Sequence, residues 1–121
     1  MPKILTVDDD EHIRLLYSME LNEAGYEVVT VENCYKLLEK IEAEKPDLVI
    51  LDIKMVDCNC LDFLHDIRDH FCGLPAILST VDNTFKDDMK SIEADFYVVK
   101  SYDLTELKEK IAKALETRRG N

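Results

Sequence analysis

Four separated stretches carry side chains able to do chemistry together. They are the run Asp8-Asp9-Asp10, the single Asp52, the hydroxyls Ser79 and Thr80, and Lys100. Three carboxylates at Asp8, Asp9 and Asp52 would repel one another unless a cation sat among them. Oxygen ligands suit a hard ion, and Mg²⁺ commonly takes one or two carboxylates plus waters and a phosphate. A carboxylate can also attack phosphorus to give an aspartyl-phosphate, which makes Asp52 a candidate nucleophile. Lys100 would neutralise charge on a transferring phosphoryl group, and the Thr80 hydroxyl would donate to one of its oxygens. Each residue alone has a structural alternative. Asp10 suits a helix N-cap, Asp52 a solvent-facing strand end, Thr80 an ordinary strand position and Lys100 a surface charge.

The joint meaning depends on what places these residues. Ile4–Val7 is a short apolar run, and Glu11–Glu23 carries Ile13, Leu16, Tyr17 and Leu21 at helical spacing. Gly25 marks that helix's C-terminus. Glu27–Val31 is β-branched, and Tyr35–Glu44 is helical with Leu37, Leu38 and Ile41, stopped by Pro46. Leu48–Leu51 is continuously apolar, as in a strand buried on both faces. Leu61–Phe71 reads as a helix, Ala76–Leu78 as a strand, Thr84–Ile92 as a short helix and Phe96–Val99 as a strand. A final helix follows, with Asp103 and Glu106 at capping-box spacing.

Strand and helix thus alternate five times, which implies a three-layer α/β/α fold. The expected architecture is flavodoxin-like and doubly wound: a five-stranded parallel sheet of order 2-1-3-4-5 with five helices. Functional sites in such sheets lie at the carboxyl ends of the strands. The four reactive stretches all follow or end strands, so one sheet edge collects them.

Composition agrees with a single domain over residues 1–121, with 46% hydrophobic and 34% charged residues. A net charge of −11 opposes direct nucleic-acid binding and favours cations. No apolar run is long enough to span a membrane, and the N-terminus lacks signal-peptide character, so a cytoplasmic location is expected. Cys34, Cys58, Cys60 and Cys72 read as free thiols. The single-residue gap between Cys58 and Cys60 is too short for an ordinary zinc pair.

Four stretches in this order resemble a known family. Ile4-Leu5-Thr6-Val7-Asp8-Asp9-Asp10 resembles the first strand and acidic pair of response-regulator receiver domains, and Leu48 to Met55 their phosphorylation-site strand. Pro75-Ala76-Ile77-Leu78-Ser79-Thr80 resembles their fourth strand, and Asp95 to Lys100 their fifth. The resemblance implies that Asp52 accepts a phosphoryl group from a phosphohistidine on a sensor histidine kinase or histidine phosphotransfer domain. It implies Mg²⁺ held by Asp9 and Asp52 with the Lys54 backbone carbonyl, and by Asp8 through water. Lys100 would pair with the phosphoryl group and Thr80 would move towards it. Tyr97 would turn inward, altering the face of the fourth helix, fifth strand and fifth helix. Such a domain works as a two-state switch in two-component signalling or a phosphorelay and is no enzyme beyond its own phosphorylation and dephosphorylation. Its output would be a separate protein or a C-terminal output domain, and it would be a monomer or a phosphorylation-dependent dimer.

Several positions depart from the family pattern. Val56 and Cys60 stand where Pro and Gly are usual, and Ser101 stands where a Pro, often cis, follows the lysine. A cis bond before Ser costs about 2.5–4 kcal/mol, so either a trans bond with a shifted loop or a strained cis bond is expected there. Val81 is bulkier than the usual neighbour of Thr80. Lys54 and Asp82 flank the expected pocket and would pair over it to slow hydrolysis, or remain solvated charges. These departures keep open an alternative, a pseudo-receiver acting as a phosphorylation-independent interaction module. A haloacid-dehalogenase-type phosphatase would want a second Asp two residues after Asp52, where Lys54 stands. A flavin-binding relative of the fold would want a hydroxyl- or Gly-rich loop in place of three aspartates.

Overall fold

The structure, a computed structural model, describes residues 1–33, 35–52, 60–71, 73–80, 96–99 and 104–119, less the side chains of 52, 60–64, 80, 96, 97, 99 and 117–119. Among the described residues nine elements follow one another: β1 (Lys3–Val7), α1 (Glu11–Glu23), β2 (Glu27–Val31), α2 (Leu37–Glu44), β3 (Leu48–Asp52), α3 (Cys60–His70), β4 (Ala76–Thr80), β5 (Phe96–Val99) and α4 (Thr105–Arg119). The strands form one parallel sheet of order β2-β1-β3-β4-β5, as the alternation predicts. The helix expected over Thr84–Ile92 lies outside the described residues, so the expected fifth helix is α4 here.

Strand alternation divides the core in two. Leu5, Val7, Val49, Leu51, Ala76 and Leu78 pack with Leu37 and Ile41 of α2 and Ile67 of α3. Ile4, Leu48, Ile50, Ile77 and Val98 pack with Tyr17 and Leu21 of α1 and Leu107 and Ile111 of α4. β3 is apolar at successive positions because both of its faces are covered by helices.

Helix boundaries follow from local chemistry. The Asp10 carboxylate caps α1 by accepting from His12 N at 2.8 Å and Ile13 N at 3.4 Å. α1 ends in a Schellman turn: Gly25 N donates to Asn22 O at 3.0 Å and Tyr26 N to Leu21 O at 3.0 Å, with Gly25 at φ 102°. α2 begins at Leu37, two residues later than the apolar pattern of Tyr35–Glu44 suggests. Lys36 is left-handed at φ 54°, which excludes it and Tyr35 from the helix. α3 starts one residue before the expected Leu61 and ends at His70, short of Phe71. α4 starts at Thr105, where the expected cap requires 104 as its first residue. Leu104 O accepts from Lys108 N at 2.9 Å, and Asp103 lies outside the described residues.

Lys3 ties the amino-terminal edge of the sheet together. Its backbone exchanges hydrogen bonds with Asp47, Lys3 N to Oδ2 at 2.8 Å and Asp47 N to Lys3 O at 2.7 Å. Its ammonium donates to Glu44 O at 3.0 Å and lies 3.4 Å from carboxylate oxygens of both Glu27 and Glu44. Desolvation pulls its pKa down, but hydrogen bonds and charge from Glu27 and Glu44 outweigh it and hold the group above 10.5. The pairing is therefore complete at neutral pH and is lost only as pH rises through that raised value.

Thr6, the fourth residue of β1, is 1% exposed, and its hydroxyl has no hydrogen-bond partner among the described residues. A buried hydroxyl without a partner costs free energy that Val, of nearly the same shape, does not incur. Thr6→Val is expected to stabilise the protein by about 1–2 kcal/mol, or roughly 3–8 °C in Tm. Thermal unfolding followed by circular dichroism measures it; an unchanged or lowered Tm would mean that the hydroxyl is satisfied.

Candidate functional site

The carboxyl edge of the sheet is built by register. β1 and β3 pair as far as Val7 with Leu51, so Asp8 and Asp52 are the next residue on each of these neighbouring strands. Asp52 in turn pairs with Ser79 of β4, Ser79 with Val98 of β5, and Thr80 with Val99. Asp8, Asp52 and Ser79 therefore stand side by side across the three central strands. Lys100 is the residue after Val99 and lies outside the described residues, as do Lys54 and Asp82. Asp52, Thr80 and Tyr97 are placed by their main chains.

The acidic turn is held from several directions. Asp8 N donates to Val31 O at 3.0 Å, which extends the β1–β2 ladder by one step. The Asp8 carboxylate is buried and its Oδ1 accepts from Asp10 N at 2.9 Å. Asp9, between them, is exposed. Arg14, half-buried on α1, donates from Nη1 to Asp8 O at 2.8 Å. The three consecutive aspartates thus have distinct positions: Asp8 buried, Asp9 exposed, and Asp10 capping α1.

Ser79 shifts in position, and Arg14 is new to the expected set. Ser79 and Thr80, read as following the fourth strand, belong to β4 itself. Ser79 is 1% exposed, and its hydroxyl reaches Leu51 O only at 3.5 Å, a long and weak bond. Arg14 was not among the expected site residues. Its signal was available: a cation near the start of a helix, where the dipole disfavours it, four residues after the last acid of the run.

Buried and exposed carboxylate oxygens at a strand edge suit a hard divalent cation and oppose a free anion. Among the described side chains no three His, Cys, Asp or Glu groups converge on one point. Asp8 and Asp9 are two of the three expected carboxylates, and the third is placed by the β3 main chain. The pair Cys58 and Cys60 gains no support as a metal site, because Cys58 and the Cys60 side chain lie outside the described residues. Among the described residues there is no cis peptide bond, and the bond before Ser101 lies outside them. No helix among the described residues is long and apolar enough to cross a membrane.

Known proteins share this fold. The chain is 39% identical over 114 residues to the DNA-binding transcriptional regulator NtrC of Rhizobium meliloti, covering 93% of this chain and 24% of that protein. It superimposes on the response regulator TrrA of Thermotoga maritima, solved in complex with Mg²⁺-BeF, with TM-score 0.88 and 43% identity over 94% of this chain and 99% of that one. TrrA in complex with the histidine kinase ThkA gives TM-score 0.86 and 44% identity over 95% and 99%. The chain spans between about a quarter and half of the length of the curated relatives it matches. With the response regulator receiver domain model matched over residues 4–112, the chain belongs to that family.

Proposed function

We propose that this domain is a Mg²⁺-dependent phosphorylation switch in two-component or phosphorelay signalling, with Asp52 as the acceptor. The observation that carries the proposal is the register at the carboxyl edge, which sets Asp8 beside Asp52 on neighbouring strands. Asp9 and Asp52 would hold the ion with the Lys54 carbonyl, and the buried Asp8 would support it through water. The ion, when bound, supplies positive charge that offsets the carboxylates and the incoming phosphoryl oxygens.

In the transfer, an Asp52 carboxylate oxygen forms the new bond to phosphorus as the bond from phosphorus to the donor imidazole nitrogen breaks. The imidazole leaves with that electron pair, and the product is an acyl phosphate. Lys100 would balance charge on the phosphoryl oxygens, and Thr80 would donate a hydrogen bond to one of them. The inward turn of Tyr97 would then report the change on the face it shares with β5 and the last helix. Lys54 and Asp82 would set the lifetime by hindering water.

A histidine kinase or phosphotransfer domain is the proposed donor, supported by the similarity to TrrA in its complex with ThkA. The output is proposed to be a further protein or a C-terminal domain, since the relatives are longer regulators. The protein is proposed to act in the cytoplasm, as monomer or phosphorylation-dependent dimer, without enzymatic turnover of other substrates and without contacting nucleic acid through this acidic domain. Acetyl phosphate with Mg²⁺ is expected to add one phosphoryl group, read by intact mass, and chelating the metal is expected to prevent it. No gain would point instead to a phosphorylation-independent interaction module.

A further inference from the structure

Arg14 sits at the fourth position of α1, near the positive end of the helix dipole, where an acidic residue would be favoured. A guanidinium there also opposes any cation bound to the neighbouring carboxylates. Two electrostatic arguments therefore count against an arginine at this position. What it does in the structure is donate to the main-chain carbonyl of Asp8 at 2.8 Å, a charge-assisted bond across six residues.

That bond completes a frame around the acidic turn. Val31 O holds Asp8 N, Asp8 Oδ1 holds Asp10 N, Asp10 holds the first amides of α1, and Arg14 on α1 closes back onto Asp8 O. Without the last bond, the peptide between Asp8 and Asp9 loses the tie that Arg14 gives it, and it is this peptide that sets where both carboxylates start.

We propose that Arg14 is a positioning residue for the divalent-cation site: through the Asp8 carbonyl it fixes the turn from which Asp8 and Asp9 present their oxygens. The proposal rests on the receiver reading above. It predicts a sign opposite to that of plain electrostatics. Removing a positive charge beside a cation site should tighten binding, and most at low salt. Removing a group that orients ligands typically weakens metal binding about 10- to 100-fold.

The test is calorimetric titration with MgCl2 alone, with no phosphodonor, of the wild type, Arg14→Met, Arg14→Lys and Lys3→Met. Arg14→Met keeps the apolar stem and drops the guanidinium. It is expected to weaken Mg²⁺ binding about tenfold, equally at low salt and at roughly 0.5 M KCl, where surface charges are screened. Arg14→Lys, which keeps a donor and the charge, is expected to recover most of the loss. Lys3→Met, at the far edge of the sheet, is expected to lower Tm and leave Mg²⁺ affinity unchanged, which separates positioning from general destabilisation. Unchanged or tighter binding in Arg14→Met overturns the proposal while leaving the receiver reading intact. If Arg14→Met does not fold, Arg14→Lys with wild-type affinity supports the proposal only alongside a weakened Arg14→Gln; both at wild-type affinity overturn it. A wild type that takes up no Mg²⁺ overturns the proposed Mg²⁺-dependent switch and this proposal with it.

Discussion

Asp52→Asn is expected to take up no phosphoryl group from acetyl phosphate, a loss of at least about 10³-fold in rate, while keeping its fold. Four carboxylates stand at this edge, and their surroundings separate them. Asp10 is committed to the α1 cap through His12 N at 2.8 Å. Asp8 is 1% exposed and its Oδ1 holds Asp10 N, so an incoming phosphoryl donor has little access to it. Asp9 is exposed but sits in the turn, outside the strand ladder. Asp52 ends the central strand with neighbours on both sides, and it stands beside the buried acid that follows β1 and the buried hydroxyl of β4. Asn matches the shape of Asp and keeps an oxygen acceptor, but it lacks the anionic nucleophile. Intact mass against time, with circular dichroism as the control for folding, makes the measurement. Phosphorylation persisting in Asp52→Asn would move the acceptor to Asp9, the other accessible carboxylate.

The sequence made the sheet legible because its strands are buried on both faces. Leu48–Leu51 has no polar residue, which only a helix-covered central strand permits, and the structure places β3 at the centre. α1 was legible at both ends, since Asp10 and Gly25 each have one physical use there. The start of α2 was not. Tyr35 fits the apolar period with Leu38, yet Lys36 takes a left-handed φ that no pattern of side chains records. Tyr35 is left 77% exposed, with the Lys36 ammonium 5.5 Å from its ring centre. β4 was read short because Ser79 and Thr80 are polar, whereas the ladder continues through both. At the carboxyl edge, the fold rule set Asp8, Asp52 and Ser79 on neighbouring strands, because strand ends are set by topology. Lys3 stayed hidden because it acts on a main-chain carbonyl and on partners far along the chain.

Ile50→Ala is expected to cost about 3–4 kcal/mol, a large effect for a single substitution. Ile50 is 1% exposed and pairs with Thr6 on one side and Ile77 on the other, so it lies at the middle of the sheet. Above it pack Tyr17 and Leu21 from α1 and Leu107 and Ile111 from α4. Those helices are held by many other contacts and have little freedom to close the gap, so the cavity term adds to the lost transfer energy. Leu15, by contrast, is 59% exposed on α1, and its replacement by Ala should stay within about 0.5 kcal/mol. A domain of this size holds roughly 5–15 kcal/mol in all, so Ile50→Ala removes a substantial share. Urea unfolding should show the midpoint falling by about 2 M at an unchanged slope. A change in slope would mean altered compactness of the unfolded or native state, and a loss below about 1 kcal/mol would mean that the two helices re-pack around the gap. Because Asp52 lies two residues beyond Ile50 on the same strand, such repacking would also displace the proposed acceptor. In that case Mg²⁺ should raise the unfolding midpoint of Ile50→Ala by less than it raises that of the wild type, since stabilisation by a bound ion depends on its affinity for the folded state.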